Sequence, residues 1–136
     1  MPKFVIVISP DKLGTSVGHY DAYIYVKRDR ELDRLLNEIE KLRKRAEELN
    51  RELEEYGIRV EVRVNTGKLQ THDLAEPFLE EPKVEDDKVM VAWWSTIHDD
   101  VYLHKYGIKH REDLEGFVNF LKREFPDAEI IIQDKE

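Results

Sequence analysis

The side chains best suited to chemistry fall in three short stretches: His19-Tyr20-Asp21, His98-Asp99-Asp100 with His104 close behind, and Gln70-Thr71-His72-Asp73. Imidazoles interleaved with carboxylates suit a borderline divalent cation such as zinc, manganese or iron, and an open coordination position would activate water. A metal-dependent hydrolase using His19, His98, Asp99, Asp100 and His104 is therefore one expectation, with His72 and Asp73 behind them. The chain has no cysteine, so disulfides, thiolate nucleophiles and iron–sulfur clusters fall away and any metal must be held by His, Asp and Glu. No HExxH, EF-hand or Walker spacing is present, and Gly14 to Gly18 (GTSVG) lacks the lysine of a phosphate loop. The plainer reading is that histidines beside aspartates are ordinary turn residues. A serine nucleophile, Ser16 or Ser95 with one histidine and Asp99 or Asp100, is a further arrangement, though neither serine stands in a GxSxG elbow. The acidic cluster Glu76, Glu80, Glu81, Glu85, Asp86 and Asp87 would either bind calcium or form a solvated loop.

Aromatic residues carry a second expectation. Tyr23, Tyr25, Trp93, Trp94, Tyr102 and Tyr106 lie on or beside β-like segments, and strand alternation sends Trp93 and Trp94 to opposite faces. One indole must then point away from the helices, beside Arg59 and Arg63 of a neighbouring strand. Such a ring usually marks a pocket or an interface. The ligand-binding set on this reading is Tyr23, Tyr25, Arg59, Arg63, Trp93 and Trp94, holding a small molecule or a partner chain beneath the Lys68 to Asp87 loop. The bland alternative is that Phe78 and Leu79 of that loop cover the face and nothing binds. Nucleic acid is a poor partner, because 30 acidic against 22 basic residues leave a net charge of −8, which repels phosphate.

Elements must position these groups. Phe4 to Ser9 is a continuous apolar run of strand length, and Ala22 to Val26 resumes β character after a Gly- and Pro-containing loop. From Asp29 to Tyr56, Leu32, Leu35, Ile39, Leu42, Ala46, Leu49, Leu53 and Tyr56 repeat at spacings of 3 and 4, a heptad seam closed by Gly57. That helix would be on the order of 42 Å long, against about 20 to 30 Å for a strand. It either covers its own sheet or overhangs it and meets a second subunit, giving a homodimer. Ile58 to Val64 alternates apolar and charged residues and reads as a strand with one wetted face. Lys68 to Asp87 reads as a long loop, and Lys88 to Ile97 as a strand. Val101 to His104 is expected as a short hairpin arm, Glu112 to Phe125 as a second helix stopped by Pro126, and Ala128 to Gln133 as the last strand.

The resulting order, ββαββαβ, predicts a single domain over 1–136: an α+β two-layer sandwich with a ferredoxin-like mixed sheet, an added N-terminal strand and two helices on one face. Chain reversal would bring the His19 and His98 loops to the same sheet edge. The apolar run at the N-terminus is too short for a secretory core or a membrane span, so the cytoplasm is the expected location. The segment Asp29 to Gly57, heptad-regular, rich in Glu, Lys and Arg and ended by Gly, resembles the idealised helices of computational design. A charged fraction of 38% is equally similar to hyperthermophile proteins and implies thermostability. Irregular loops such as Gly14 to Tyr20 and Ser95 to Asp100 stand against a wholly invented scaffold, and a scaffold with no function beyond folding is the last alternative.

Overall fold

The apolar run at the N-terminus becomes β1 (Phe4–Pro10), and β2 (Tyr20–Lys27) lies antiparallel to it with Ile8 opposite Ala22 and Ile6 opposite Ile24. The computed structural model describes residues 4–10, 18–64 and 82–133. Two compact units are distinguished, residues 1–27 with 66–136, and residues 28–65.

The first unit is built on a mixed sheet. After β2 come β3 (Lys83–Val84) and β4 (Lys88–Ser95), the helices α2 (Asp100–His104) and α3 (Leu114–Glu124), and β5 (Glu129–Ile132). Among the described residues the sheet has five strands in the order β3-β4-β2-β1-β5. All neighbours are antiparallel except β1 and β5. Strand alternation, interrupted once by a register shift between β2 and β4, divides the side chains. Ile6, Ile8, Ala22, Ile24, Ala92 and Trp94 are buried on one face with Leu103 of α2, Ile108, and Phe117, Phe120 and Leu121 of α3. The Trp94 indole lies 4.2 Å from the Phe120 ring, nearly parallel to it. Burying each large apolar side chain here contributes roughly 1.5–3 kcal/mol.

Local signals explain the helices. Asp99 accepts a hydrogen bond from the Tyr102 N–H and so caps α2, while Gly107 at φ 79° turns the chain away after it. Asp113 caps α3 by accepting from Gly116 N–H, and it also accepts from Lys109 N–H. Pro126 follows the C-terminus of α3, where its missing N–H prevents continuation.

The second unit contains α1 (Arg30–Leu53), capped by Asp29 on the Leu32 N–H, then a 3-10 turn at Glu54–Tyr56 and Gly57 in the left-handed region. The chain then extends through residues 58–64. The Asn50 amide donates to the Val60 carbonyl at 2.9 Å and accepts from the Val60 N–H at 2.7 Å. No described helix is long and apolar enough to cross a membrane.

Three expectations are corrected. Residues 58–64 form no strand among the described residues. Alternation specifies only an extended chain with unlike sides, and at Val60 the Asn50 side chain takes the place of a ladder partner. The edge strand comes instead from Lys83–Val84, inside the segment expected as loop. Val101 to His104 is helical rather than a hairpin arm, because Asp99 initiates a turn that the sequence His98-Asp99-Asp100 disguises as a break. The chain is therefore an α+β protein with a five-stranded mixed sheet among the described residues, but its element order departs from ββαββαβ as drawn from the sequence.

Candidate functional site

The sheet face opposite the helical core is not polar throughout, as a purely solvated face would be. Strand register arranges it in rows. Val7, Tyr23 and Trp93 form one, continued by Ile131, and Val5, Tyr25 and Met90 form the next. A register shift between Ile24 and Tyr25 sets Tyr25 against Met90. Tyr23 and Trp93 are direct partners, and their rings stack with centroids 6.1 Å apart and planes within 6°. Both are only half-buried. Beyond them the Lys88 ammonium sits 4.2 Å from the Tyr25 ring centre, a cation–π contact. Burial raises the Tyr25 phenol above its usual pKa, with Glu85 and then Tyr23 adding to the effect.

The third row of the same face is polar. Register places Ser9 opposite Asp21 and Asp21 opposite Ser95, and all three are buried, Asp21 to 7% exposure. His19 is buried beside them, its Nε2 3.7 Å from Asp21 Oδ1. Ser95 Oγ accepts the Ile97 N–H at 3.2 Å. The corner is held by Thr96, whose N–H donates to the Tyr20 carbonyl at 2.9 Å and whose hydroxyl accepts the Tyr20 N–H and donates to the Arg111 carbonyl. Gly18 admits the chain at φ 90°, and a Cβ there would run into the Glu112 carboxylate. The result is an aromatic platform ending in a buried carboxyl flanked by two hydroxyls.

The sequence-derived residues distribute as follows. Tyr23, Tyr25 and Trp93 share this face; Trp94 lies on the other, in the core, its indole N–H buried without a hydrogen-bond partner among the described residues. Arg59 and Arg63, expected beside the exposed indole, belong to the second unit, where both lie near Glu61, at 3.6 and 3.8 Å. His19 and the loop carrying His98 do reach the same end of the sheet, since β4 runs antiparallel to β2 and Thr96 bonds Tyr20. His98 is half-buried, its Nε2 unpartnered among the described residues. Asp99 is committed to its cap, Asp100 is exposed in the first turn of α2, and His104 Nε2 lies 2.8 Å from the Lys109 carbonyl oxygen. No group of three or more His, Asp or Glu among the described residues is arranged to hold a metal ion. Ser16, His72, Asp73, Glu76, Phe78, Leu79, Glu80 and Glu81 lie outside the described residues. Glu85 pairs with Lys88 at 4.0 Å in the turn between β3 and β4, which also holds Asp86 and Asp87.

Ser9 and Met90 were not singled out from the sequence, and Asp21 and Ser95 were not joined to the aromatic face. The signal was present: Asp21 shares parity with Tyr23, and Ser95 with Trp93. No family model, curated protein or solved structure matches the chain.

Proposed function

We propose that this chain is a non-catalytic binding domain that holds a small planar ligand against the face formed by Tyr23, Tyr25 and Trp93. The observation that carries the reading is the parallel Tyr23–Trp93 pair, half-buried and on the side of the sheet away from the core. The pair lies outside the buried core cluster, and a cross-strand aromatic pair contributes only about 0.2–1 kcal/mol to a sheet. A ring pair held in register offers a rigid apolar platform with little side-chain entropy left to lose on binding. The rival reading, a metal-dependent hydrolase at His19, His98, Asp99, Asp100 and His104, has no comparable support, since Asp99 caps a helix and His104 bonds a main-chain carbonyl.

Indole, uncharged and planar, is a suitable probe. Calorimetric or ligand-observed NMR titration is expected to detect binding to the wild-type chain, weakened about three- to tenfold by Tyr23→Ala or Trp93→Ala, the range that one lost aromatic contact allows. Binding unaltered in both folded variants would contradict the assignment.

A further inference from the structure

We infer that the Asp21 end of this face selects a positively charged group, so that the ligand is a planar aromatic ring bearing an ammonium or amidinium on a short tether. The inference rests on the binding reading above and adds the polarity of the ligand. Ser9, Asp21 and Ser95 make one continuous row across β1, β2 and β4, next to the Val7–Tyr23–Trp93 row. Asp21 is nine-tenths buried in a row otherwise supplied by hydroxyls. A carboxylate removed from water needs compensating donors or an opposite charge. Among the described residues, the basic group within ion-pair reach is His19, at 3.7 Å. That separation is longer than a direct hydrogen bond, and a carboxylate has about four lone-pair sites to fill. The hydroxyls on either side add acceptors for an ammonium: Ser95 Oγ already accepts one N–H, from Ile97, and retains a second lone pair.

Spacing sets the ligand's length. Asp21 and Tyr23 are two residues apart on one strand, about 7 Å, which matches an ammonium carried two carbons from an aromatic ring. An anionic substituent in the same place would meet the carboxylate, and a neutral one would leave its buried charge as it was. At the opposite end of the face the Lys88 ammonium already lies over Tyr25 and pairs with Glu85, so a cationic group bound in the reverse direction would meet a like charge.

Three probes with one ring separate the possibilities: indole, tryptamine and indole-3-acetate, titrated by calorimetry at neutral pH into the wild-type chain and into Asp21→Asn. The wild-type chain is expected to bind tryptamine about tenfold more tightly than indole, the scale of a charge-assisted hydrogen bond, and indole-3-acetate more weakly than indole. In Asp21→Asn the tryptamine advantage is expected to vanish while indole affinity holds. If Asp21→Asn does not fold, by circular dichroism, the wild-type ranking still decides. Indole bound through Trp93 with tryptamine no tighter overturns the charge selection and leaves the binding reading standing. No binding of any of the three overturns both.

Discussion

Asp21 and Asp113 are both carboxyl groups of the same unit, and their surroundings give them different work. Asp113 faces main-chain donors: the Lys109 N–H first, then the Gly116 N–H, hold its carboxyl below the ordinary value of 3.8. A group whose pKa is lowered by folding adds stability above its unfolded value, and that stability is lost as pH falls through the folded one. Asp113→Ala should therefore destabilise the chain by about 1 kcal/mol at neutral pH, the usual worth of such a cap. The gap from wild type should narrow below about pH 3. Urea titrations at the two pH values check it, and a gap independent of pH would contradict the assignment. Asp21 instead sits in a row with hydroxyls, beside the Tyr23–Trp93 row. At this scale the sequence was legible where the rule is local: alternation alone separates Trp93 from Trp94. It was not legible where two strands must be aligned, and so Ser9 could not be set beside Asp21 without the β1–β2 register.

Helix α1 shows what periodicity does and does not fix. Its stop at Gly57 and its heptad seam were readable from the sequence, because each depends on neighbours within a few residues, whereas the cap that Asp29 gives the Leu32 N–H is seen only in the structure. The fate of the two rows of that seam was not. Leu32, Ile39, Ala46 and Leu53 are at least half-buried, whereas in the other row only Leu49 is half-buried and Leu35, Leu42 and Tyr56 are exposed, Leu42 to 59%. Leu42→Ala should change stability by no more than about 0.5 kcal/mol, while Leu121→Ala in the fully buried face of α3 should cost about 2–5 kcal/mol. Denaturant unfolding followed by circular dichroism measures both, and equal losses would show Leu42 to be packed in solution. Residues 58–64 carry the same lesson for strands. Their perfect alternation announced an extended chain, but membership of a sheet depends on a ladder partner, and Asn50 supplies side-chain bonds to Val60 instead.

Across the whole molecule, the α+β class was legible in the sequence because apolar period changes from two to about three and a half and back. The strand order β3-β4-β2-β1-β5 was not, since the edge strand is only two residues long and the parallel β1–β5 pairing joins the two ends of the chain. The sheet nonetheless has two chemically different faces, a sealed hydrophobic one under α2 and α3 and a half-buried aromatic one ending in Ser9, Asp21 and Ser95. Each face contains one tryptophan. The two indole N–H resonances in a nitrogen-15 correlation spectrum, assigned with Trp93→Phe, therefore report on the faces separately. As tryptamine is added, the Trp93 signal is predicted to move while that of Trp94 stays in place. Movement confined to Trp94, or no movement of either, would contradict a ligand site on the aromatic face.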